Sequence, residues 1–150
     1  MFFIKIREEI KELVQDKTMP MFSVLLVDDE KDFIRTLLKR LERRGIECEG
    51  VFCGMDAIER IKARKFDTVL LDMKLPDKDG NAVLLEIRKV RPETRVIILT
   101  GHASANDGRE GLKNGAVDYL MKPLEFESLF EKLQIAGNKA STPADDRREK

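Results

Sequence analysis

Histidine is nearly absent. The 150-residue sequence holds one, His102, and only two cysteines, Cys48 and Cys53. The cysteines lack metal-ligand spacing, which leaves no His/Cys metal centre and points to free thiols in a reducing compartment. Net charge is missing too. Lys+Arg number 28 and Asp+Glu number 28, so nothing in the balance draws the chain to nucleic acid or an anionic membrane. No apolar run is long enough to span a bilayer. The start, Met1 to Ile6, is apolar apart from Lys5, and Arg7, Glu8 and Glu9 interrupt it too early for a signal peptide. The expected location is the cytoplasm, with no direct contact to nucleic acid or membrane. The length suits one domain with a full core and is too short for two ordinary ones.

What is present is a set of β-type apolar runs. Four are strong: Phe22–Val27, Asp67–Leu71, Arg95–Leu99 and Asp118–Met121. A weaker one, Glu47–Phe52, lies between the first two. Valine, isoleucine and leucine run almost unbroken in the strong ones, as in strands buried on both faces of a parallel sheet. Helical patterns separate them. Phe33, Leu37, Leu38 and Leu41 mark the first helix, which Gly45 closes. Ala57, Ile58 and Ile61 mark the second. Val83, Leu84 and Ile87 mark the third, which stops before Pro92. The fourth, around Ala105–Asn114, is weak, because Gly108 and Gly111 each cost about 1 kcal/mol against alanine. The fifth carries Leu124, Leu129, Phe130 and Leu133.

Five βα repeats give an α/β fold. It is a five-stranded parallel sheet of order 2-1-3-4-5 with helices on both faces, a flavodoxin-like (βα)5 three-layer sandwich. Two segments lie outside it. Residues 1–20 carry Phe3, Ile6, Ile10 and Leu13, a short heptad stripe that reads as a dimerising or docking helix or as a frayed leader. Residues 140–150 are polar and charged and are expected to be disordered. The domain between spans residues 21–139.

Ligands of open α/β sheets bind beyond the carboxyl ends of the strands. The first strand ends in Val27-Asp28-Asp29-Glu30 and the third in Leu71-Asp72. These strands are neighbours in the expected order, so three carboxylates crowd one pocket. Crowded carboxylates resist ionising together unless a cation joins them, and oxygen ligands suit Mg²⁺. The alternative for Asp28-Asp29-Glu30 is an N-cap and acidic first turn. The fourth strand ends in Thr100-Gly101, and Lys122-Pro123 follows the fifth. Thr100 alone reads equally as a strand-end threonine, and Lys122 alone as a surface lysine. Four such strand ends together point to a site.

In order, the motifs are Val27-Asp28-Asp29-Glu30, Leu70-Leu71-Asp72-Met73-Lys74-Leu75-Pro76, Asp79-Gly80, Leu99-Thr100-Gly101-His102-Ala103 and Asp118-Tyr119-Leu120-Met121-Lys122-Pro123. From about Met21 to Gly137 the chain resembles the receiver domain of bacterial two-component response regulators. The resemblance implies that Asp72 is the phosphoacceptor, taking phosphoryl from a histidine kinase or histidine phosphotransfer protein. It implies that Asp29, Asp72 and the backbone carbonyl of Lys74 bind Mg²⁺ (Mn²⁺ as the alternative), with Asp28 acting through water. Lys122 pairs with a phosphoryl oxygen, aimed by a cis Lys122-Pro123 bond. Thr100 bonds another oxygen, and Tyr119 is the aromatic switch. Lys74 and His102 line the mouth of the site.

The implied function is a switch that catalyses only its own phosphorylation and dephosphorylation. Its switching face comprises the fourth helix, fifth strand and fifth helix, and it meets an output protein or a second copy. The glycines of the fourth helix read either as loosening that face or as tolerated surface changes. No output module is legible after the fifth helix. The chain is therefore expected to be a stand-alone regulator or the receiver of a longer one with a DNA-binding or enzymatic output. An aspartyl-phosphate hydrolase of the haloacid dehalogenase type would want an aspartate where Lys74 stands. A flavin carrier would want a phosphate loop where Asp28-Asp29-Glu30 stands.

Overall fold

Three of the four strong apolar runs become strands buried on both faces, whereas the fourth, Asp118–Met121, lies at the edge of the sheet, is only half-buried and leaves Met121 39% exposed. The computed structural model describes residues 22–101 and 105–141. The expectations for residues 1–20, for His102 and for residues 142–150 lie outside the described residues. The strands are β1 Ser23–Val27, β2 Glu47–Val51, β3 Thr68–Asp72, β4 Arg95–Thr100 and β5 Asp118–Met121. The helices are α1 Lys31–Arg43, α2 Gly54–Ala63, α3 Gly80–Val90, α4 Ala105–Lys113 and α5 Phe126–Ser141. All strand pairs are parallel and the order is β2-β1-β3-β4-β5. The fold is the flavodoxin-like α/β sandwich that the sequence pattern predicts. α5 runs two residues into the segment expected as tail.

Two apolar layers flank the sheet. On one face α1 and α5 bury Ile34, Leu37, Leu41, Leu129 and Leu133 against Val24, Leu26, Leu70, Ile97 and Leu99. On the other, α2 and α3 bury Ala57, Ile61, Val83, Leu84 and Ile87 against Leu25, Val69, Leu71, Val96 and Ile98. Each fully buried Leu, Ile, Val or Phe stabilises the fold by about 1.5–3 kcal/mol. The stripe of α1 is centred one position later than its sequence pattern suggests. Ile34 is buried, while Phe33 and Leu38 are half-buried at the rim.

β2 is the weak strand because it is an edge. Glu47 and Glu49 pair with Arg64 and Arg60 of the α2 region, at 3.1 Å for Glu47–Arg64 and 2.9 Å for Glu49–Arg60. Charges along an edge discourage pairing with a further strand.

α4 forms where expected, but its glycines are not tolerated surface changes. Gly108 and Gly111 are buried, not on the surface. A Cβ at Gly108 would lie 2.6–2.9 Å from the Tyr119 ring, and one at Gly111 would lie 2.7 Å from Ile98 Cγ1. The helix rests on the sheet through bare backbone.

Candidate functional site

β1 and β3 lie side by side, with Val27 opposite Leu71. The next residue of each chain, Asp28 and Asp72, therefore emerges at one rim. Asp28 is 1% exposed and Asp72 7%. Asp29 beside them is exposed. One carboxylate oxygen from each of Asp28, Asp29 and Asp72 lies within 4.8 Å of the others. The sequence expectation of a three-carboxylate cluster is met in space.

The N-cap alternative does not account for these carboxylates. Glu30 is the N-cap of α1, and no side chain caps that helix by hydrogen bond. Asp28 Oδ1 accepts from the Glu30 amide at 2.9 Å, which fixes its rotamer toward the rim. Its other oxygen, Oδ2, is buried and has no aligned hydrogen-bond donor. Lys122 Nζ stands 2.8 Å from it as an ion-pair partner, off the hydrogen-bonding direction.

Lys122 reaches the cluster from the end of β5. Its amide donates to Thr100 O at 2.7 Å, tying the chain after β5 to the end of β4. The Lys122-Pro123 peptide is cis. Nζ sits 2.8 Å from Glu30 Oε1, 3.8 Å from Asp72 Oδ2 and 5.1 Å from the Phe33 ring centroid. Burial opposes its charge, but Asp28, Glu30 and Asp72 outweigh burial and raise its pKa. The ammonium is a fixed positive charge in an acidic bowl.

Asp72 has the opposite problem. Burial pushes its carboxyl up, and Asp28 and Asp29 push further. The Lys74 amide, donating to Oδ1 at 3.1 Å, and Lys122 pull the other way. The result is about 6, well above an ordinary aspartate. Thr100 is buried at the end of β4, and its Oγ1 donates a long 3.4 Å bond to Leu120 O. A Cβ at Gly101 would meet nothing within 4 Å. Tyr119 lies opposite Ile98 on the face away from α1 and α5.

Two acidic residues at the site were not singled out from sequence for these roles. Glu30 is a direct partner of Lys122, 92 residues away. Asp77 accepts from the Gly54 and Met55 amides at 2.8 and 2.9 Å, tying the loop after β3 to the start of α2. Those amide bonds hold the Asp77 carboxyl below its usual range.

The same loop is held shut by Gly80. Its amide donates to Met73 O at 3.1 Å, and Lys74 bridges Asp79. A Cβ at Gly80 would lie 2.4 Å from Met73 Cα and 2.7 Å from Met73 O. Only glycine permits that approach.

Comparisons with known proteins identify the family and the fold. Residues 24–134 match the family described as response regulator receiver domain. The transcriptional regulatory protein ZraR of Salmonella typhimurium is 36% identical over 113 residues, 75% of this chain and 26% of ZraR. The transcriptional regulatory protein CutR of Streptomyces coelicolor is 36% identical over 120 residues, 80% of this chain and 55% of CutR. The chain thus spans about a quarter to about half of these relatives. Among solved structures, the receiver domain of the Francisella response regulator 1452 superposes with TM-score 0.74 at 32% identity, covering 80% of this chain and 99% of that one. The receiver domain of NtrX from Brucella abortus gives 0.73 at 31%, covering 77% and 98%. No helix among the described residues is long and apolar enough to cross a membrane. The chain belongs to the response regulator receiver domain family of two-component signal transduction.

Proposed function

We propose that this receiver is a phosphoacceptor switch in which Asp72 takes a phosphoryl group from a phosphohistidine on a histidine kinase or phosphotransfer protein. The observation that carries the reading is the cluster of Asp28, Asp29 and Asp72 with Lys122 reaching into it. The donors suit a hard divalent cation: carboxylate oxygens in mutual reach, with the buried Asp28 Oδ2 lacking an aligned hydrogen-bond donor. Asp28, Asp29, Asp72 and the carbonyl of Lys74 would hold Mg²⁺, or Mn²⁺ in its place. Such a cation supplies neutralisation of the crowded carboxylates and of the charge on the transferring group.

The rest is done by side chains of this chain. Asp72 attacks phosphorus, so a P–O bond forms to its carboxylate as the P–N bond to the partner's imidazole breaks. The released imidazole regains its proton from solvent. Lys122 turns from Asp28 and Glu30 toward a phosphoryl oxygen. Thr100 exchanges its long bond to Leu120 O for another phosphoryl oxygen. Tyr119 follows Thr100 and biases the α4–β5–α5 face, where Leu112, Val117 and Met121 are exposed. That face would meet an output protein or a second copy. The chain catalyses only its own phosphorylation and dephosphorylation. Free Cys48 and Cys53 suit a reducing cytoplasm. The greater length of ZraR and CutR favours one variant, in which the same switch acts on a transcription-regulating output domain.

The test is an intact mass after incubation with a small-molecule acyl phosphate. A phosphoryl adduct is expected with Mg²⁺ and none with a chelator. An adduct of equal yield under chelation would remove the cation from the mechanism. Lys122→Ala is expected to slow adduct formation by about 100–1000-fold, the scale of one lost charge-stabilising donor. An unchanged rate would take Lys122 out of the transfer step.

A further inference from the structure

α4 has one large apolar side chain, Leu112, and it is 41% exposed. A helix normally packs through an apolar stripe. This one packs through Gly108 and Gly111, which stand one turn apart and are both buried. The two glycines touch different things. Gly111 lies over Ile98, a β4 residue of the core. Gly108 lies over Tyr119, where a Cβ would be 2.6 Å from Cδ2, 2.8 Å from Cγ and 2.9 Å from Cε2. The Cγ contact matters most. It is one bond from the Tyr119 Cβ, so the ring escapes it only by changing rotamer.

The far end of α4 is anchored separately. Asn114 Nδ2 donates to Asn81 Oδ1 at 2.9 Å, tying it to α3. Gly115 then closes the helix at a φ of 111°. The first turn has no such tie among the described residues. Within it, the backbone of Gly108 lies against the Tyr119 ring.

We propose that Gly108 is the positioning residue that seats Tyr119, so that the ring and the first turn of α4 move as one unit. The proposal rests on Tyr119 acting as the switch of the phosphoacceptor reading. While the ring is seated, it fills the space under the helix. When it leaves, the bare backbone of Gly108 faces a gap and the first turn loses its support. A side chain at position 108 breaks the link from the other direction. It evicts the ring with no phosphoryl group present.

The reporter is built in. Tyr119 is the only tyrosine and the chain has no tryptophan, so tyrosine emission comes from one ring. Gly108→Ala in the full chain is expected to change the emission and raise its quenching by acrylamide without phosphorylation. Gly111→Ala is the control, because it crowds the same sheet but not the ring. Its quenching is expected to match the parent protein. Acyl phosphate with Mg²⁺ should still yield the mass adduct in both variants, and the phosphorylation-induced change in emission should vanish only in Gly108→Ala. Stability gives a second measurement should the fluorescence be obscured. Alanine is the better helix former, so a loss can come only from the clash. Gly108→Ala is expected to lower Tm in the parent and to raise it in a Tyr119→Ala background. Parent-like quenching in Gly108→Ala, an equal shift in Gly111→Ala, or the same sign of Tm change in both backgrounds would overturn the seat. A missing adduct in the parent would overturn the phosphoacceptor reading alone, since the unphosphorylated comparison still decides the seat.

Discussion

Asp72→Asn is expected to abolish the phosphoryl adduct and, in metal-free buffer at neutral pH, to make the protein more stable. The two effects share one cause. Burial and the neighbouring Asp28 and Asp29 push the Asp72 carboxyl to about 6, against an unfolded value of about 4. The folded state therefore binds the proton more tightly than the unfolded state does. The stability that this proton contributes is complete below about pH 4 and is lost as pH rises through about 6. Above that range the ionised Asp72 is a cost that asparagine removes. Solvent at the rim screens part of it, which leaves a gain of about 1 kcal/mol, roughly 3–5 °C in Tm. The gain should grow from pH 4 to pH 7 and then level off. Excess Mg²⁺ should reverse the ranking, because it binds and stabilises the aspartate protein preferentially. Thermal melts across pH, with chelator and with Mg²⁺, check all three signs. A variant less stable than the parent at pH 7 in chelator would show that Asp72 is not under charge stress.

Gly80→Ala is expected to damage both stability and phosphorylation. The new Cβ would meet three backbone atoms of Met73, at 2.4 Å from Cα, 2.7 Å from O and 2.9 Å from C. Backbone atoms cannot swing aside as a side-chain terminus can. Met73 follows Asp72 directly, and Lys74 beyond it holds Asp72 Oδ1. Relief of the clash must move the loop that sets the geometry of the acidic cluster. Overpacking of this kind costs about 3 kcal/mol, roughly 10 °C in Tm for a domain of this size. Gly101→Ala is the contrast, since nothing lies within 4 Å of its Cβ. A stability change under about 0.5 kcal/mol is expected there. Denaturant melts of the two variants provide the measurement. Equal effects at both positions would contradict the close-approach reading of Gly80.

The parts of the fold that were legible in sequence are those where one residue's chemistry fixes its surroundings. β1, β3 and β4 are buried on both faces, so their runs of Val, Leu and Ile are unmistakable. β2 was faint because it is an edge whose glutamates pair with arginines of the α2 region. The convergence of Asp28, Asp29, Asp72 and Lys122 could be read because fold rules bring these strand ends to one rim before any coordinates exist. Glu30 and Asp77 have roles that local patterns do not carry. Each depends on a partner far along the chain, Lys122 and the Gly54 and Met55 amides, respectively. The helix α4 was legible, but the burial of its glycines was not, for a different reason. Helix propensity counts glycine only as a loss. At Gly108 and Gly111 the missing side chain is what allows the helix to lie on Tyr119 and Ile98.

The central claim is that one oxygen of Asp72 carries the phosphoryl group. Borohydride reduces an acyl phosphate of aspartate to homoserine, which marks the modified position in a peptide map. The protein is incubated with acyl phosphate and Mg²⁺, reduced and digested. Homoserine at position 72, absent when Mg²⁺ is chelated, is the expected result. Homoserine at Asp28 or Asp29 instead, or a phosphoryl adduct that leaves Asp72 unmarked, would contradict it.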